Sequence, residues 1–153
     1  MTIEQQLDQL NIKIPQAPKP AAAYVPAKKV GNIIYISGQD CRKDGELIKA
    51  GKLEQDADIE EGYQAARQCM INLLAVLKSE VGDLEQVEQI VKLLGFINSA
   101  EGFVKQPYVM DGASDLLEEV FGERGKHARS AIAANELPFN TSVEIEMIAE
   151  LKA

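Results

Sequence analysis

The chain has 153 residues, 46% of them apolar and 26% charged, and 24 acidic against 16 basic side chains give a formal net charge of −8. That composition fits one folded domain and excludes wholesale disorder. A negative field, no Trp and only four Tyr and four Phe count against a protein that grips phosphates or stacks bases, so nucleic acid is not an expected partner.

Cys41 and Cys69 stand far apart with no CxxC spacing, which favours two reduced thiols over a disulfide framework or a zinc site. The start, MTIEQQLDQLN, lacks the basic and apolar regions of a signal peptide. No run reaches membrane-spanning length. The expectation is a soluble cytoplasmic protein with no membrane partner.

Ile3, Leu7 and Leu10 recur at helical spacing and predict a short amphipathic helix, expected to pack on the outside of the body. Pro15, Pro18 and Pro20 make the next stretch an extended connector. Residues 1–21 thus read as helix and tether, and 22–153 as the domain. The segment 23–29 ends at a Val30-Gly31-Asn32 turn. The run Ile33-Ile34-Tyr35-Ile36-Ser37 then reads as a strand ending at Gly38. A D-G turn at Asp44-Gly45 predicts a hairpin onto Leu47-Ile48.

Asp58 followed by Glu61 is a capping-box start. Tyr63, Ala66, Met70, Leu73, Leu74 and Leu77 then share one face of a long helix that should end near Gly82. Ile90 to Ile97 is almost continuously apolar and reads as a fully buried central strand. A second long helix follows Pro107, with Ala113, Leu116, Leu117, Val120 and Phe121 in phase and Gly122 as its stop. Ala128 to Ala134 is a strand of small residues. In the last strand Val143, Ile145, Met147, Ala149 and Leu151 alternate with Glu144, Glu146, Ile148 and Glu150. The order predicts an α+β fold: one mixed sheet with two long helices on one face and a short N-terminal helix. The sheet's other face needs a cover, and self-association supplies one.

Nucleotide-loop, zinc-protease and serine-hydrolase motifs are absent from the sequence. The single histidine, His127, reads as a surface loop residue ahead of a strand. Arg129, set among small apolar residues, is either the partner of a carboxylate in an ordinary ion pair or a fork for a ligand carboxylate. Spacing alone favours the ion pair. Glu144 and Glu146 share a face of the last strand, as a solvated edge or as a general base for water. Tyr24 is equally a core residue or a cleft residue.

Tyr24 to Gln39, with Ile36-Ser37-Gly38-Gln39, resembles the opening of the Rid/YjgF family. Ala128-Arg129-Ser130, then Leu137-Pro138, then Val143 to Ala149 resemble its C-terminal signature. The wording His-Ala-Arg-Ser is similar to a longer subgroup labelled endoribonuclease of the L-PSP type. The resemblance implies a chorismate-mutase-like domain, a homotrimer with ligand sites between subunits, and no metal or organic cofactor. It also implies hydrolysis of 2-imino and enamine acids, of the 2-aminoacrylate and 2-iminobutanoate type, to 2-keto acids and ammonia.

By the same resemblance Arg129 holds the carboxylate of a small-molecule substrate, Glu144 positions water, and Tyr24 closes the cleft from a neighbouring subunit. Gly38, Ser130, Ala131 and Gly112 become substrate-binding positions, Gly38 through its amide and Ala131 through its carbonyl. Two departures from the family pattern stand out: Ala131 replaces a cysteine, and Gly112 replaces an asparagine that would be a polar wall. The stretch from Gly45 to Asp58 is also longer than usual. A keto-acid-binding protein without turnover is the second reading, and an endoribonuclease the third.

Overall fold

A computed structural model describes residues 1–19 and 23–153. Pro20 and the boundary drawn after residue 21 lie outside the described residues. Helix α1 (Ile3–Gln9) is followed by strands β1 (Ala27–Val30), β2 (Ile33–Gln39), β3 (Arg42–Lys43) and β4 (Glu46–Leu47), then by helix α2 (Ile59–Val81). Strand β5 (Val87–Asn98), helix α3 (Gln106–Phe121) and strands β6 (Ala128–Ala134) and β7 (Val143–Leu151) complete the chain.

Local chemistry explains the boundaries. Asp58 accepts from the Glu61 amide while the Glu61 side chain accepts from the Asp58 amide, closing the expected capping box on α2. Gly82, at φ +84°, terminates that helix in a conformation costly for any residue with a Cβ. Asp44 and Gly45, both at positive φ, make the tight β3–β4 hairpin.

Five strands form one mixed sheet in the order β1-β2-β7-β5-β6. All neighbours are antiparallel except β5 and β6, where Leu93 pairs with Arg129 in parallel register across the α3 crossover. Helices α2 and α3 lie on one face. Under them Ile34, Ile36, Ile90, Leu93, Ile97, Val143, Ile145 and Met147 are buried. The other face carries Tyr35, Leu94, Phe96, Ile132 and Ile148 beside Glu144, Glu146 and Lys92, and Tyr35 and Ile132 are about half exposed at 49% and 46%.

Strand β5 therefore departs from the expectation of burial on both faces. It starts at Val87 rather than Ile90, and its register shifts between Val87 and Gln89 and again between Ile90 and Lys92. Each shift advances the inward phase by one residue, so Val87, Ile90 and Leu93 all face the helices despite a spacing of three. Strand β2 likewise runs through Gly38 to Gln39 with an irregularity after Ile36.

Helix α1 packs on the flank of the helical layer. Ile3 and Leu7 join the common core, Lys78 pairs with Glu4 at 2.9 Å, and Gln6 donates to the Glu119 carbonyl.

Gly112 is set by the crossing of the two long helices. A Cβ built there would stand 2.0 Å from the Tyr63 carbonyl oxygen of α2, so the helices meet backbone to backbone at this point. Nearby, the Tyr63 hydroxyl donates to Asp115 at 2.7 Å, tying α2 to α3. The Cβ direction of Gly112 faces α2, so its lack of a side chain serves packing. Substituting Gly112→Asn is expected to destabilise the protein by at least about 2 kcal/mol, because no low-energy repacking accommodates an overfilled crossing. Thermal unfolding checks this, and an unchanged midpoint contradicts it.

Candidate functional site

Arg129 and Glu144 occupy opposite sides of the sheet. Arg129 leaves edge strand β6 towards α3. Its Nη1 forms an ion pair with Asp111 Oδ1 at 3.0 Å and donates to Ser114 Oγ at 3.0 Å, and Nη2 donates to the Pro107 carbonyl at 3.4 Å. The ion-pair alternative is thus realised, with a carboxylate one turn into α3. It does not exhaust the guanidinium. Among the hydrogen bonds of the described residues none uses Nε–H, and Nη2 makes a single long one, on the side of the guanidinium that can match a carboxylate side-on. A shallow cavity of about 380 Å³ opens there, lined by Asp111, Ser114, Asp115, Glu118, Lys126, His127 and Arg129.

His127 lies in the loop directly ahead of β6, as expected, and there it is partly buried and hydrogen-bonded through both ring nitrogens. Its Nδ1 lies 2.7 Å from the Gly125 carbonyl and its Nε2 2.9 Å from Ser114 Oγ. Burial pushes the imidazole below its ordinary pKa, the Gly125 carbonyl partly opposes this, and Arg129 adds to the lowering.

Glu144 projects from β7 on the open face, against Gly38 of β2. A Cβ at Gly38 would sit 3.3 Å from the Glu144 Cγ and Cδ, so a side chain there would press on the carboxylate. Burial raises the Glu144 pKa first, and the charges of Asp40 and Glu146 raise it further. Asp40 itself pairs with Arg42 at 3.1 Å, whereas no ion pair among the described residues engages Glu144. A half-buried carboxylate beside two others, without a cation, is poised to take a proton.

Tyr24 is 55% exposed and lines a concavity of about 740 Å³ with Tyr35, Ser37, Lys92, Glu146 and Ile148. Ser37 Oγ donates to the Val25 carbonyl at 3.0 Å, which fixes the Tyr24 segment to β2. Ser130 pairs with Leu94 on the open face, while Ala131, partly buried, pairs with Gly95 and packs towards the helices. Arg129 and Ala131 are therefore together on β6, and Gly38 and Glu144 together on β2 and β7, but one chain does not unite the two groups.

Asp111, Ser114 and Asp40 carry much of the local electrostatics and were not singled out in the sequence. Positions 111, 114, 115 and 118 do form a polar stripe at helical spacing. Such a stripe reads as a solvated face until β6 is placed beside it.

An α+β domain with two long helices on one face of a five-stranded sheet and the other face bare defines a fold class, and known proteins match it. Residues 4–151 match the family model described as "YjgF/chorismate mutase-like, putative endoribonuclease". The chain belongs to this family. It is 40% identical to Protein TCP17 of Trypanosoma cruzi over 95% of this chain and 91% of the relative. It superimposes on the crystal structure of Atu1372 of Agrobacterium tumefaciens, described as of unknown function, with a TM-score of 0.92 at 40% identity, over 98% of this chain and 92% of the other. It is 30% identical to a protein of Dermatophagoides farinae named 2-iminobutanoate/2-iminopropanoate deaminase, over 92% and 95% of the two chains. No helix of the described residues is long and apolar enough to cross a membrane.

The raised Glu144 pKa has a sign that can be tested. The folded state binds its proton more tightly than the unfolded state, so this group costs stability as pH rises through the interval between the ordinary and the raised value. Glu144→Gln is expected to raise the unfolding midpoint at neutral pH, with the gain shrinking as pH falls below that interval. Melting curves of both proteins across pH check this, and a midpoint lowered at neutral pH contradicts it.

Proposed function

We propose that the protein is a hydrolytic deaminase of small 2-imino and enamine acids, working as a homotrimer with sites between copies. The observation that carries the reading is Arg129, held on three sides with one carboxylate-matching edge left over. The family membership and the named deaminase relative support the reaction class. The apolar open face supports assembly, because Tyr35 and Ile132 are too exposed for a face that ends as solvent-facing sheet.

In this reading the substrate carboxylate lies side-on against Arg129, aided by the Gly38 amide of a neighbouring copy. The Ala131 carbonyl accepts from the iminium N–H. Glu144 of the neighbouring copy holds a water molecule over the imine carbon. Water adds to the C=N bond, the carboxylate takes its proton, and the nitrogen becomes an amine. Glu144 returns the proton to that nitrogen, and as the C–N bond breaks the hydroxyl oxygen becomes the keto C=O and gives its own proton to the Glu144 carboxylate, from which the departing ammonia takes it, so that a 2-keto acid and ammonium leave. An imine is already electrophilic, so orientation and one placed water supply most of what is needed. A carboxyl with a raised pKa suits both halves of the proton transfer. Tyr24, exposed at the rim of the open face, closes the cleft from the neighbouring copy. Ser130 contributes from the same strand as Arg129.

The test uses an amino-acid oxidase to generate 2-imino acids and semicarbazide to trap what remains. Wild-type protein is expected to lower the trapped fraction, and Arg129→Ala to lose about 2 kcal/mol or more of transition-state stabilisation, a loss of roughly 30-fold or greater in kcat/KM. Saturable keto-acid binding without turnover would replace the enzyme with a binding protein of the same pocket. Salt-sensitive RNA cleavage abolished by a point mutation would replace it with a nuclease.

A further inference from the structure

We propose that His127, acting through Ser114, is a positioning residue that holds the Arg129 guanidinium ready for its ligand. The chain of hydrogen bonds admits one arrangement of protons with a neutral imidazole. The Gly125 carbonyl can only accept, so Nδ1 carries the proton at 2.7 Å. Nε2 is then an acceptor, and the Ser114 hydroxyl donates to it at 2.9 Å. With its proton committed, Ser114 Oγ offers a lone pair to Arg129 Nη1 at 3.0 Å. A backbone carbonyl thus sets the direction of every bond out to the guanidinium.

Asp111 alone would not fix Arg129. A single carboxylate leaves a long, flexible side chain free to swivel about the contact. The second anchor, Ser114 Oγ, accepts from Nη1, and Pro107 O accepts from Nη2. Nε–H has no partner among the hydrogen bonds of the described residues, and in the proposed reading the ligand meets the guanidinium on that side. Such outer contacts commonly decide how well a binding group is aimed.

Protonating His127 reverses the scheme. Nε2 would then donate to Ser114 Oγ, the hydroxyl proton would need a new acceptor, and an imidazolium would face a guanidinium. The other charges around the ring are Asp111, Asp115 and Glu118 of α3 and Lys126 beside it. Desolvation first, and the Arg129 charge with it, lower the pKa of the ring from its ordinary value and favour its neutral form. Ligand affinity is therefore expected to fall on the acid side through that depressed value.

The kinetic readout rests on the proposed role of Arg129 as carboxylate anchor, whereas the proton arrangement does not. The chain has one histidine, so ring-nitrogen spectra of ¹⁵N-labelled full-length protein need no assignment. The Nδ1–H tautomer with Nε2 accepting is expected, and an Nε2–H tautomer overturns the proposal. Ser114→Ala is expected to raise KM for 2-iminobutanoate by about 3- to 10-fold, the worth of one hydrogen bond, with kcat much less affected. It is also expected to remove the acid-side fall, whereas Ser114→Thr, which keeps the hydroxyl, retains both. An alanine variant with wild-type KM and acid limb overturns the proposal. If wild type turns over no imine, the deaminase reading fails, and the Arg129 Nη resonances decide this inference separately. Their displacement in Ser114→Ala but not in Ser114→Thr supports it, and identical resonances in all three proteins overturn it.

Discussion

Two helices cover the five-stranded sheet on one side only, and most of the molecule follows from that imbalance. The covered face is apolar at every inward position of β7, and β5 shifts register twice to keep Val87, Ile90 and Leu93 inside. Burial on that scale dominates the stability of a domain this size. The bare face pays for it with Tyr35, Leu94, Phe96, Ile132 and Ile148 in reach of water. Mixed with Glu144, Glu146 and Lys92, these side chains form a surface suited to a second copy better than to solvent. In the proposed trimer that face becomes interior.

The same sheet separates the two halves of the proposed chemistry. Arg129 points to the helical side of β6 and Glu144 to the open side of β7, two strands away. Their electrical settings also differ. The arginine has Asp111 beside it, so in the proposed reading a ligand carboxylate would meet a partly neutralised cation and could leave again. The glutamate is half-buried, with Asp40 and Glu146 for neighbours, and burial first and those charges second raise its pKa. Proton transfer near neutrality calls for a carboxyl of that kind and not for one held in an ion pair.

Periodicity made the architecture legible. The alternation from Val143 to Leu151, the capping box at Asp58 and the Asp44-Gly45 turn each appear where the residues place them. Strand β5 was harder, since a continuous apolar run does not reveal whether one face or two will be covered. Arg129 was legible as a choice between an ion pair and a ligand fork, and the structure contains the first while leaving an edge for the second. The packing role of Gly112 was not legible, because its place in a helix crossing depends on α2, some fifty residues earlier in the chain. His127, Ser114 and Asp111 were hidden for a similar reason. They are separated by loop and helix, and only the docking of α3 against β6 makes them a hydrogen-bonded chain.

The central claim is that Arg129 of one copy and Glu144 of another act on one substrate. Mixing two inactive variants tests it most directly. Arg129→Ala and Glu144→Gln, unfolded together in equal amounts and refolded, form mixed oligomers in which some sites combine an intact arginine with an intact glutamate. With sites between neighbours in a ring, about one quarter of wild-type imine hydrolysis is expected at equal proportions. Activity no higher than that of either variant alone, from oligomers shown to be mixed, would contradict the account.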